Sequence, residues 1–209
     1  MIAIIQQICT LKYLKNRMSN GSSIVYCTST AGLEWKKFKR EQNKVVHAKT
    51  WEDVQNVTKK LALSAPATFA YMYSKRCLSQ FACEQAVEFA KLGIRINNVL
   101  PASTDTGMKQ EFQDMVGSEE GLIAQAGLAG RLATSEEMAY PMVFLNSDMA
   151  SFISGLDMVV DYTDTCLKIL GMKKNLEAVS ATNPIICAMA KRMMVKASKP
   201  KALKSGDEK

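Results

Sequence analysis

The chain has 209 residues, room for one ordinary domain, and its 47% hydrophobic content argues against wholesale disorder. Six cysteines without a Cys-x-x-Cys pair, and a single histidine at His47, argue against a zinc site, a histidine-based triad and a disulfide framework, and they fit reduced thiols in the cytoplasm. The net charge is +7, of which residues 191–209 supply +5 from seven Lys/Arg and two acids, so the excess belongs to the tail.

No apolar run reaches the ~18–20 residues of a membrane span. Residues 1–14 make a poor signal peptide, because no basic residue precedes the apolar part and no small-residue cleavage site follows. Ile4, Ile5, Ile8, Cys9, Leu11 and Leu14 instead follow helical spacing, which predicts an amphipathic helix over residues 2–17. Residues 23–28, Ser-Ile-Val-Tyr-Cys-Thr, read as a short buried strand. Residues 31–41 read as irregular and basic. Thr50 and Asp53 form a capping-box pattern that opens a helix with Trp51, Val54, Val57 and Leu61 on one face, ended by Ser64-Ala-Pro66.

A long helix is predicted from about residue 69 to 91, closed by Gly93. Residues 94–100 are the next strand, stopped by Pro101. A polar, mobile stretch is expected through Gly130. Thr134 and Glu137 form a second capping-box pattern for a helix to about Leu145, with Pro141 inside it. Gly155 turns the chain into a strand over residues 156–160. Pro184 opens a helix to about Val195, and residues 197–209 read as disordered. Strands alternating with helices imply an α/β fold with parallel pairing and right-handed crossovers.

Tyr71 and Lys75 are four residues apart and so share a helix face, whereas Tyr73 points elsewhere. A tyrosine hydroxyl near its ordinary pKa of about 10 is a poor base at neutrality, and a neighbouring ammonium favours the phenolate. Bringing the pKa to about 7 requires roughly 4 kcal/mol of preferential stabilisation. Ser29 lies just past the first strand, and Pro101-Ala-Ser-Thr-Asp-Thr lies just past the second. Ligands of open parallel sheets bind beyond the carboxyl ends of strands. Three polar clusters therefore converge on one rim. The plain reading of any one of them is a turn or helix cap; the conjunction points to proton transfer at a carbonyl or alcohol.

These pieces resemble the short-chain dehydrogenase/reductase family. The matching residues are Ser-Ile-Val-Tyr-Cys-Thr-Ser-Thr-Ala-Gly (23–32), Tyr-Met-Tyr-Ser-Lys (71–75), Gly-Ile-Arg-Ile-Asn-Asn-Val-Leu-Pro (93–101) and Thr-Asp-Thr (104–106). Gly-Arg-Leu-Ala-Thr-Ser-Glu-Glu-Met-Ala (130–139) and residues 144–155 follow in family order. The long gap between Ser29 and Tyr71 implies an insert over about residues 33–68. It resembles the bacterial 3α-hydroxysteroid dehydrogenase/carbonyl reductase and coniferyl-alcohol dehydrogenase branch. The resemblance implies the C-terminal part of a doubly wound Rossmann-like sheet over residues 1–162, with a helical insert and an extension over 163–209.

It further implies an NAD- or NADP-dependent oxidoreductase that interconverts a secondary alcohol and a ketone, of hydroxysteroid-like or aromatic type. Tyr71 would be the acid/base, Lys75 would lower its pKa and hold the nicotinamide ribose, and Ser29 would orient the substrate oxygen. Pro101, Thr104 and Thr106 would hold the carboxamide. Trp35 and Trp51 would border the substrate pocket. A homo-oligomer is expected, with the insert displacing the family's usual helix-paired contact; nucleic-acid and membrane partners are not.

The chain departs from the family pattern at several points. No Gly-rich strand-to-helix turn precedes Ser29, and the family's Asn-Asn-Ala-Gly segment is absent. The chain would thus start inside the helix of the family's catalytic asparagine. Ala102 stands where glycine is usual, and Tyr162-Thr163 where two glycines are preferred. These departures imply a fragment, a truncated product or a degenerate copy that binds NAD(H) weakly by itself. Two competing readings are an inactive remnant serving as a subunit or scaffold, and a binding module driven by the basic tail.

Overall fold

A computed structural model describes residues 11, 13–62, 67–175, 177–183, 185, 186, 188 and 189. Most of the first predicted helix, the Ser64-Ala-Pro66 stop, most of the helix after Pro184 and the tail from 190 onward lie outside the described residues.

Three strands, β1 (Ser23–Cys27), β2 (Arg95–Pro101) and β3 (Asp157–Val160), form one sheet in the order β1-β2-β3 with both pairings parallel. Side chains alternate across the sheet, so Ile24 and Tyr26 face one core and Val25 faces another. The larger core joins Tyr26 and Ile96 to Phe69, Met72, Leu78, Phe81 and Phe89 of the crossover helix α3 (Ala67–Ala90). The smaller core sets Val99 against Leu145 of helix α6 (Ser135–Asn146) and Ala150. Helices thus cover both faces, as a doubly wound α/β fold requires.

β2 is the middle strand, and its two buried asparagines each make polar contacts to the protein. Asn97 donates to Ile153 O at 2.9 Å and accepts from Leu156 N at 3.0 Å. Asn98 donates to Asp157 Oδ1 at 2.6 Å. The α3 helix ends at Gly93, whose φ of +69° suits glycine; Gly93 N and Ile94 N donate back to Ala90 O and Phe89 O.

Both capping boxes form. Asp53 N donates to Thr50 Oγ1 at 3.1 Å, and Thr50 N donates to Asp53 Oδ2 at 3.1 Å, opening helix α2 (Trp51–Ala62). Thr134 and Glu137 close the reciprocal pair that opens α6, and Pro141 lies inside that helix.

Two stretches read as irregular are helical instead. Residues 31–41 enter a 3₁₀-helix (Thr30–Lys36) and then helix α1 (Lys39–Val46), both packed on α3. The stretch after Pro101 contains helices α4 (Lys109–Val116) and α5 (Glu119–Ala124). These helices gain their stability from packing against α3 and each other, which short propensity windows do not register. After β3 comes helix α7 (Asp164–Ile169), and beyond it Glu177 and Val179 meet Arg76 of α3 while Ser180 meets Glu41 of α1.

Candidate active site

Because all three strands are parallel, their carboxyl ends share one rim, where Ser29 lies two residues past β1, Pro101 ends β2 and Asp161 follows β3. Ser29 is buried and caps the 3₁₀-helix, with its Oγ accepting from Ala31 N at 3.2 Å. That helix presses closely on α3. A Cβ on Gly32 would stand 2.8 Å from Ser79 Oγ and 3.0 Å from the Lys75 carbonyl oxygen. The lack of a side chain at 32 is therefore what lets the Ser29 turn reach the Lys75 turn.

Tyr71 and Lys75 do share a face of α3. The Lys75 ammonium lies 5.5 Å from the Tyr71 ring centroid. Tyr73 points away, fully buried, its hydroxyl donating to Glu41 O at 2.9 Å. Burial raises the Tyr71 pKa above its ordinary 10.0; hydrogen bonding with Ser29 acts to lower it, and the charges of Cys27 and Glu177 raise it. Lys75 is itself pushed below 10.5 by burial, with Cys27 opposing.

The Lys75 ammonium lies over the Tyr71 ring, and desolvation penalises the charged form of both groups. Among the described residues the Lys75 ammonium has neither a hydrogen-bonded acceptor nor an acidic partner, although it is partly buried.

The third cluster reaches the site through α4. Pro101 ends β2, and the Thr104 hydroxyl turns inward to Ala102 O at 3.0 Å. Thr106 Oγ1 accepts from Met108 N at 3.3 Å, just before α4. Phe112 of α4 then meets the Tyr71 ring edge-on at 5.3 Å. Sequence reading missed Phe112, although the spacing of Met108, Phe112 and Met115 carried a helical signal.

Trp35 is buried and donates its indole N–H to Asp157 Oδ2 at 2.9 Å, clamping the 3₁₀-helix to β3. Trp51 is half exposed on α2.

Residues 56–162, just over half of the chain, match the family model described as enoyl-(acyl carrier protein) reductase. The chain belongs to the short-chain dehydrogenase/reductase family. It is 37% identical over 99 residues to cyclopentanol dehydrogenase of Comamonas testosteroni, covering 47% of this chain and 39% of that protein. It is also 37% identical over 99 residues to 2,3-dihydro-2,3-dihydroxybenzoate dehydrogenase of Escherichia coli (strain K12), covering 44% of this chain and 40% of that one.

The matches thus span about two fifths of the curated relatives' length. The fold is similar to that of the 3-alpha-hydroxysteroid dehydrogenase from Pseudomonas sp. B-0831 complexed with NADH. That likeness has a TM-score of 0.63 at 21% identity and covers 79% of this chain and 64% of that one.

Among short-chain dehydrogenase/reductases the residue pair after the last strand favours glycine, and the backbone here shows why. Tyr162 and Thr163 have φ of +42° and +77°, in the left-handed region. Gly127 packs against this turn so tightly that a Cβ there would lie 2.0 Å from Tyr162 O.

Proposed function

We propose that the chain is an NAD- or NADP-dependent oxidoreductase that interconverts a secondary alcohol and a ketone, with Tyr71 as acid/base. The observation that carries this reading is the meeting of Ser29, Tyr71 and Lys75 at the carboxyl rim of a parallel sheet. Lys75 supports the cofactor assignment. A partly buried ammonium without an acceptor among the described residues fits the hydroxyls of a ribose. Tyr71 would share that ribose, while Pro101, Thr104 and Thr106 would flank the carboxamide, all at the nicotinamide end.

A dinucleotide held there would supply or accept the hydride. The chain's residues handle the proton. In the reductive direction the Tyr71 hydroxyl donates its proton to the forming alkoxide, and the Ser29 hydroxyl donates a hydrogen bond to the same oxygen. The raised pKa keeps the phenol protonated at neutral pH, the form reduction needs. In the oxidative direction Lys75 and Ser29 stabilise the phenolate that removes the alcohol proton.

Phe112 gives the Tyr71 ring an aromatic flank, which suits a cyclic hydrocarbon skeleton of hydroxysteroid or aromatic-alcohol type. A cytoplasmic location fits the free Cys27, Cys77, Cys83 and Cys166. We infer a homo-oligomer from the family's habit alone.

The test is turnover of a panel of cyclic alcohols and ketones at saturating NAD(H) or NADP(H). Reduction is expected to slow as pH rises through the Tyr71 pKa, and Tyr71→Phe is expected to lose roughly 10²–10⁴-fold in kcat. A Tyr71→Phe chain with undiminished turnover, or a chain inert to every member of the panel, would overturn the proposal.

A further inference from the structure

Helix α7 is inverted: its charged side chains are buried and its large apolar ones face water. Asp164 is buried, and Lys168 holds its Oδ2 at 2.8 Å and Glu177 Oε2 at 2.8 Å. Lys173 pairs with Asp164 from the turn that follows. The Lys168 side chain is only 8% exposed. Cys166, Ile169 and Leu170, spaced three and four residues apart, share the opposite side of the helix. Ile169, Leu170 and Met172 are exposed by 77%, 70% and 73%. A surface helix ordinarily does the reverse.

Hydrogen bonds fix this arrangement. Leu170 N donates to Cys166 O at 2.9 Å, and Met172 N and Lys173 N donate to Leu167 O at 2.9 and 3.1 Å, around Gly171 at φ +71°. Leu128 and Tyr162 extend the apolar face at its other end, where Leu128 N donates to Tyr162 O at 3.0 Å and both side chains are exposed. From Tyr162 to Met172 every exposed residue is uncharged.

We propose that the outer face of α7 is a self-association surface, covered by the same face of a second copy of this chain. A two-fold contact sets a surface against itself, so like charges on it would meet; this face exposes none. Five large side chains also present several hundred Å², where the largest patch on a typical monomer is about 300–600 Å² and each partner in a standard interface gives about 800 Å². An anionic bilayer fits less well, because interfacial helices turn lysines outward beside their apolar face, and here Lys168 and Lys173 are turned onto Asp164 and Glu177. Cys166, Ile169, Leu170 and Met172 form the centre of the contact. Leu128 and Tyr162 are its rim, where contacts carry little energy. This surface is the seat of the homo-oligomer inferred above, and it rests on that reading.

Sedimentation velocity of the full chain at tens of micromolar is expected to give the mass of two chains, or of a larger assembly built from such pairs. Leu170→Glu and Ile169→Lys, both at exposed positions, should each weaken the association roughly a hundredfold or more, because a two-fold contact carries each change twice. Circular dichroism of both variants should stay native. Maleimide labelling, followed peptide by peptide by mass spectrometry, gives a second readout. Cys166 should become roughly tenfold less reactive relative to the exposed Cys27 as chain concentration rises, and Leu170→Glu should abolish that protection.

A native chain that sediments as a monomer at every concentration would overturn both this surface and the homo-oligomer. An oligomer whose mass neither substitution lowers would leave the homo-oligomer standing and overturn α7 as its seat.

Discussion

The pair Tyr162-Thr163 holds strain that glycine would release. Both residues are left-handed, at φ +42° and +77°, and Thr163 is β-branched. An L residue in this region costs about 1–2 kcal/mol, and glycine returns roughly 0.5–1 kcal/mol of that as lost chain entropy. Tyr162 is 68% exposed, so removing its ring forfeits little packing. The contacts that matter there are backbone ones, since Leu128 N donates to Tyr162 O at 3.0 Å, and they survive substitution. The double variant Tyr162→Gly/Thr163→Gly should therefore gain about 1–2 kcal/mol, and at about 2–4 °C per kcal/mol for a chain of this size its Tm should rise about 2–8 °C. Differential scanning calorimetry at neutral pH measures it. An unchanged or lower Tm would refute the strain and the reason given for the family's glycines.

Two further substitutions probe the scaffold. Gly32→Ala places a methyl 3.0 Å from the Lys75 carbonyl oxygen, and overpacking of this kind costs about 1–3 kcal/mol; the variant should melt lower and lose turnover through displacement of Ser29, read by calorimetry and steady-state rates. Glu137 is held at a pKa of about 2, against an ordinary 4.5, first by its bond to Arg131 and then by the Thr134 backbone N–H. A depressed carboxyl contributes stability that is complete above the unfolded value and is lost as pH falls through the folded one. The Tm of the native chain should therefore fall between about pH 4.5 and 2 more steeply than that of Glu137→Gln, which thermal melts across that range will show.

The sequence disclosed the frame of this fold where its signals are local. Gly93 and the Thr50/Asp53 and Thr134/Glu137 pairs mark helix ends through contacts three residues apart, and the β-rich runs before Ser29 and Pro101 mark strands. What it concealed is tertiary. Helix α1 exists because Val45 and Val46 bury against α3, and α4 carries Phe112 because Tyr71 waits across the rim. Trp35 looked like a pocket residue, since nothing nearby in the chain announces Asp157 as its partner 122 residues away. Past α7 no periodic signal announces that Glu177 and Val179 meet Arg76, about 100 residues earlier in the chain, or that Glu177 pairs with Lys168. At the site, spacing alone brought Tyr71 and Lys75 to one face, but it could not show that burial raises the phenol's pKa.

The joint action of Ser29 and Tyr71 on one substrate oxygen is tested most directly by a double-mutant cycle on kcat/KM for ketone reduction. Residues that act as a unit lose rate non-additively. Ser29→Ala and Tyr71→Phe should each cost roughly 10²–10⁴-fold, and the double variant should be little worse than Tyr71→Phe alone. Losses that simply multiply, or a Ser29→Ala chain as fast as the native one, would contradict the account.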